Sequence, residues 1–204
     1  MSRFARKENT RKPKRVIRIY TEGKKTEPNY FNSIKDELKL TTIEIKVDGR
    51  GDHTLSLVEW VIDRKNAETD KDLETEWWVV FDRDDHDDFN KSIELALANG
   101  VQPAYSNECF ELWFILHFEF LNTSIGRDKF EPKLSKLLGR KYDKSTSDIY
   151  ELIKDKEASA IRNAKRLHEQ HDKAGTTSHS KRDPSTHVHK LVERLRSFKS
   201  ETKQ

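Results

Sequence analysis

Asp82 and Asp84 are the residues of this chain whose type and spacing point most directly to chemistry. Two carboxylates at i and i+2 just beyond an apolar run offer oxygens that hold a hard divalent cation between them. The run, Trp77-Trp78-Val79-Val80-Phe81, is bounded by polar residues and reads as a strand buried on both faces, the middle of a parallel sheet. Open α/β sheets bind their ligands at the carboxyl ends of such strands. Glu22 holds the equivalent place after an earlier apolar run, Val16–Tyr20. Three carboxylates about sixty residues apart in sequence are therefore expected to share one crevice. There Glu22 would position a second ion, or act as acid or base on an oxygen in phosphodiester chemistry. Lys24 and Lys25, beside the amides of a helix start, would offer positive charge to phosphate. The plainer alternative is an acidic surface loop and a helix cap that bind nothing.

Further candidates stand outside this trio. Glu108 and Glu111, at i and i+3 in an apolar stretch, would share one face of a first helical turn and either point to the same crevice or stabilise the positive end of that helix. Five of the eight histidines follow residue 165. Among them His189, one turn beyond Ser185, is a candidate for phosphate contact or proton transfer. Asp183 and Pro184 are explained by a helix start alone, Asp183 as cap and Pro184 in the first turn. Zinc is disfavoured, because no second ligand cluster has matching spacing. An EF-hand loop from Asp82 would need glycine and glutamate where Asp87 and Ile93 stand. A Walker loop ending at Gly23-Lys24 would need glycine at Arg18 and serine or threonine at Lys25. Cys109 and His117, eight residues apart on one expected helix, are too distant for a nucleophile pair.

The elements that must position these residues follow from periodicity. Val16–Tyr20 reads as a strand, Gly23 as a tight turn, and Glu27 to Leu38 as a helix with Thr26 as its cap and Pro28 in its first turn. Ile43, Ile45 and Val47 alternate with Glu44 and Lys46, which marks a half-exposed strand near a sheet edge. A helix is expected from Leu55 to Glu68, another around Ile93–Leu97 ending near Asn99-Gly100, and a fourth strand at Val101–Tyr105, where Pro103 favours an edge. Strands one and three are then left side by side at the centre. Glu108 to Phe118 is apolar nearly all round and reads as a buried helix. From Arg127 onward the pattern is polar and helical, with about four short helices and a loop at Gly175–Arg182. The alternation of strand and helix predicts right-handed crossovers and a parallel sheet covered on both faces.

Composition bounds the rest. A chain of 204 residues suits one sizeable α/β domain with a helical appendage, here a basic tail over 1–14, a core over 15–120 and a helical extension over 121–204 packed on it. With 33% hydrophobic and 37% charged residues, the core must be economical and the protein is expected to be soluble, with no membrane partner. A single cysteine, Cys109, excludes an internal disulfide and fits a reducing cytoplasm. The net charge of +3 is uneven, since residues 1–15 carry seven Lys or Arg against one Glu. That tail reads equally as a solubilising extension or as a nonspecific arm for phosphate backbones.

Four stretches together resemble the RloB-like family over almost the whole chain: Thr-Glu-Gly-x-x-Thr-Glu-Pro-Asn-Tyr-Phe at 21–31, Phe-Asp-Arg-Asp-Asp-His at 81–86, Ser-Asn-x-Cys-Phe-Glu-Leu-Trp at 106–113, and Pro-Ser-Thr-x-Val-His at 184–189. Asp183 departs from the asparagine expected before the last of these. RloB-like proteins look like relatives of the Toprim domain, with a glutamate after the first strand and Asp-x-Asp after the third, here Glu22, Asp82 and Asp84. The resemblance implies a Toprim-like three-layer α/β/α sandwich with a mostly parallel four-stranded sheet and C-terminal helical additions. It also implies magnesium, with manganese as a substitute, and cleavage of RNA, tRNA included, or DNA. The setting it implies is bacterial restriction-modification and phage-defence loci, abortive infection among their outcomes, where a partner ATPase is often encoded alongside. Glu22, Asp82 and Asp84 would be metal ligands and, with His189, catalytic groups; Lys24, Lys25, Glu111 and Ser185 would contact substrate. The alternative is a non-catalytic subunit that binds a nucleotide or nucleic-acid end and regulates that ATPase. A homo-oligomer is compatible with either.

Overall fold

The computed structural model describes residues 13–47, 54–70, 72–83 and 87–201. The alternation in the sequence becomes β1 (Lys14–Thr21), α1 (Thr26–Leu38), β2 (Ile43–Val47), α2 (Thr54–Asn66), β3 (Leu73–Asp82), α3 (Phe89–Ala98) and β4 (Gln102–Asn107). The helical part follows as α4 (Glu111–Ile115), α5 (Phe130–Leu138), α6 (Ile149–Ile153), α7 (Glu157–Lys173) and α8 (Val188–Glu201), with a two-residue strand, β5 (Ser185–Thr186), before the last helix. Residues 1–12 of the basic tail, residues 48–53 and the residues Asp84, Asp85 and His86 lie outside the described residues.

The strands lie in the order β2-β1-β3-β4-β5. The first four are parallel, and β5 runs antiparallel to the end of β4 through Ser106–Thr186 and Asn107–Ser185. β1 and β3 are therefore the central neighbours, and β2 takes the edge that its alternation predicts. Pro103 precedes the part of β4 that β5 covers, so the far side of the strand needs no ladder donor there.

Burial of β3 on both faces has a direct cause in its side chains. Trp78 and Val80 belong to a large core with α1 and α4 to α8, while Trp77, Val79 and Phe81 belong to a second core with α2 and α3. Successive side chains of a strand point to opposite faces, so one uninterrupted apolar run feeds both layers. Helix α3 ends at Gly100, whose φ of 66° is the left-handed conformation that glycine adopts without strain.

Two expected elements differ. The helix expected over Glu108 to Phe118 is regular only at α4, so Glu108 falls before its first turn and does not share a face with Glu111. Nor does Asp183-Pro184 open a helix: Asp183 accepts a hydrogen bond from Ser124 Oγ at 2.5 Å, and the next two residues pair with β4 as β5. Sheet pairing across eighty residues outweighs the local helix-start signal.

A candidate cation and phosphate crevice

The crevice forms where β1 and β3 end together. Glu22 extends the β1 ladder by donating its N–H to the Val80 carbonyl at 3.0 Å. Its carboxylate accepts the Thr54 hydroxyl at 3.1 Å and the Asp82 N–H at 3.4 Å, which fixes it beside the end of β3. Asp82 is half-buried, yet its Oδ1 is buried and has no hydrogen-bond partner among the described residues.

Glu27 and Glu111 complete the acidic lining of a cavity of about 300 Å³, which Lys24, Lys25, Arg127 and Lys144 also line. Glu27 sits in the first turn of α1 and is 6% exposed. Its carboxylate folds back over Gly23, where an added Cβ would collide with it. Backbone amides of Gly23 and of Glu27 itself hydrogen-bond to that carboxylate. Glu111, the first residue of α4 and 3% exposed, accepts the Tyr142 hydroxyl at 3.2 Å. Thr26 does not cap α1 as expected; its hydroxyl donates to the Lys144 carbonyl at 3.2 Å and ties that loop to the crevice. Arg127 is anchored by donating to the carbonyls of Arg83 and Glu108, at 3.0 and 2.9 Å.

These carboxylates repel one another in a poorly hydrated space. Burial, then the Glu27 and Glu111 charges, lift Asp82 well above the usual carboxylate range, with Arg127 opposing. Burial and the Glu111 charge hold Glu27 up at about 7, against the pull of its amide hydrogen bonds and of Lys144. Such a cluster gains stability from a proton or a cation. The Cys109 thiol is pushed up by burial and by Glu111 and Asp82, which keeps it protonated and unreactive.

Oxygen donors around an unpartnered, buried carboxylate oxygen suit magnesium, which usually takes one or two carboxylates and completes its shell with water and phosphate. Among the described residues no three His, Cys, Asp or Glu side chains are spaced to enclose a metal. Of the residues singled out in the sequence, Glu22, Asp82, Glu111, Lys24 and Lys25 converge here. Asp84 lies outside the described residues. Ser185 is fully buried in β5, and His189 lines a different pocket, so neither stands among the residues lining the crevice.

Sequence reasoning missed Glu27, Arg127 and Lys144. Glu27 is the one that carried a signal, as a second Thr-Glu pair five residues after Thr21-Glu22. The two cations come from polar loops whose composition marks nothing. A family model described as RloB-like protein matches residues 17–195. No curated protein and no solved structure matches the chain.

Proposed function

The chain belongs to the RloB-like family, and from that premise we propose that the crevice is the active site of a magnesium-dependent nuclease. The observation that carries this reading is the meeting of Glu22 and Asp82 at two central strand ends, with Asp82 Oδ1 buried beside Glu27 and Glu111 and without a hydrogen-bond partner among the described residues. In this reading the placement of Glu22 after the first strand and Asp82 after the third corresponds to the Toprim arrangement, with Asp84 as the remaining carboxylate. Bound magnesium would supply Lewis-acid stabilisation of charge on a phosphate oxygen. Asp82 and Glu22 would hold it, and Glu27 and Glu111 would deepen the negative potential that draws it in. Lys24, Lys25, Arg127 and Lys144 line the same cavity as these carboxylates and would orient the phosphodiester in it, Arg127 as the fork-shaped donor suited to phosphate. Thr54 would keep the Glu22 carboxylate turned toward Asp82. The biological setting we propose is phage defence from a restriction-modification locus, with a partner ATPase.

The test is cleavage of labelled tRNA, single-stranded RNA and plasmid DNA by the purified protein with magnesium or manganese, alongside Asp82→Asn and Glu22→Gln. Cleavage of one substrate, lost in both variants while their circular dichroism is unchanged, is the expected result. Cleavage that persists in Asp82→Asn refutes the assignment. Absence of cleavage with the partner ATPase present, accompanied by magnesium-dependent binding of nucleotide, would make the same crevice a regulatory binding site.

A further inference from the structure

Away from the acidic crevice, the chain gathers histidines into one place. His168 of α7 lies against His187 with ring centroids 4.3 Å apart and the rings tilted by 57°, and His189 of α8 lies 5.4 Å from His168 and 6.0 Å from His187. His179 adds a fourth ring 6.4 Å from His187. They line a pocket of about 410 Å³ together with Lys165, Arg182 and Lys190. Two of the rings are held by one backbone atom. The Thr186 carbonyl accepts from His168 Nε2 at 2.9 Å and from His189 Nδ1 at 3.0 Å. A carbonyl only accepts, so the hydrogen sits on those nitrogens and each ring keeps its other nitrogen available to gain a proton.

Available imidazole nitrogens suit either a transition metal or an oxyanion. The surroundings decide between them. Three cationic side chains line the same pocket, and among the described residues no three metal-ligating side chains are spaced to hold a metal. The carboxylates present are Glu169 and Asp172, and Asp172 is already bound by Arg182 at 2.7 Å. Lys165 is paired with Glu193, whereas Lys190 has no carboxylate within ion-pair distance among the described residues. Removal from water and neighbouring cations hold His168 down at about 4 and His189 at about 3. An incoming anion would reverse the second of these causes.

We propose that this pocket binds a terminal phosphate group, the monoester end of a nucleotide or of a nucleic-acid strand. Its volume falls within the range of pockets that hold a nucleotide-sized ligand. The doubly charged monoester accepts hydrogen bonds from ammonium and guanidinium donors at once, and its charge favours protonation of the ring nitrogens that face it, which an internal phosphodiester with one charge does less well.

The test uses the full chain with EDTA and no magnesium, so that its result is independent of catalysis in the acidic crevice. Adenosine monophosphate, a short RNA with a terminal phosphate and the same RNA with a terminal hydroxyl are titrated by calorimetry, while the imidazole ring resonances are followed by NMR. Binding of the phosphate-bearing probes, with the rings of His168, His187 and His189 shifting, is expected. Loss of the terminal phosphate or Lys190→Ala should each weaken binding about tenfold. The exposed position of Lys190 makes that variant safe for the fold. Tighter binding of the strand than of the mononucleotide identifies a strand end as the ligand, and equal binding identifies the nucleotide. Equal affinity for the hydroxyl-ended RNA, or ring resonances unmoved by every phosphate probe, overturns the proposal. So does zinc binding that moves the rings, in a separate titration without EDTA, when phosphate does not.

Discussion

Replacing Glu27 with glutamine removes the charge from a buried acid of the crevice and keeps its shape. Burial and the Glu111 charge hold the Glu27 carboxyl at about 7 in the folded chain, against an ordinary value of 4.5. That difference corresponds to about 3 kcal/mol, at about 1.4 kcal/mol for each tenfold change in proton affinity. The sign follows from linkage. Below pH 4.5 both folded and unfolded chains carry the proton, and wild type and variant differ least. As the pH rises to about 7 the unfolded chain releases its proton while the folded chain keeps it, so the wild type loses stability relative to Glu27→Gln. Above about 7 the gap stays constant. Histidines act in the opposite sense: His117 and His168, held at about 4, contribute stability that is present above 6.5 and lost as the pH falls. They occur in both proteins and cancel in the difference. The assay is guanidinium denaturation of both proteins in EDTA between about pH 4.5 and 8.5. Glu27→Gln should become the more stable protein by about 3 kcal/mol across that range. Saturating magnesium should then stabilise the wild type more than the variant, by binding linkage. A difference that is flat with pH, or that favours the wild type as pH rises, would refute the account of a charge-strained acidic wall.

Gly23→Ala places a Cβ on the Glu27 carboxylate and should displace it, lowering cleavage about 10²-fold with the circular dichroism unchanged; near-wild-type turnover would show that Glu27 need not stay where it is. Asn107→Ala removes a fully buried carboxamide that donates to the carbonyls of His179, Ser180 and Arg182 at 3.1 to 3.2 Å and accepts from Arg83 at 3.3 Å. It should cost about 1–3 kcal/mol and speed amide exchange at 179–182, as hydrogen-exchange mass spectrometry would show. Arg196→Met breaks the guanidinium contacts with Glu37, Tyr150 and Glu157 that join α8 to α1, α6 and α7. Its destabilisation in urea should be about 1.5–3 kcal/mol and should change little with added salt, because Glu157 is only 14% exposed.

The sequence by itself determined the sheet and half of the crevice. Five consecutive apolar residues at 77–81 can be buried only on both faces, and the alternation at 43–47 can be buried on one, so the central and edge places followed from side-chain chemistry. Strand ends at the centre of an open sheet are adjacent by topology, which is why the sequence alone joins Glu22 to Asp82. Tertiary structure decided the rest. Glu27 enters the crevice because glycine at 23 leaves room for a side chain to fold back, a fact about space rather than about helix propensity. Arg127 and Lys144 arrive on loops whose courses depend on how α5 and α6 pack, and no local pattern records that. Ser185 and Thr186 carry helix-start signals next to Pro184, yet they become a strand because β4 offers a free edge to pair with. That same pairing turns His187 and His189 toward His168 and away from the acidic crevice. Local sequence sets which conformations are cheap, and which partner a residue meets is set by chain segments that only the folded packing brings together.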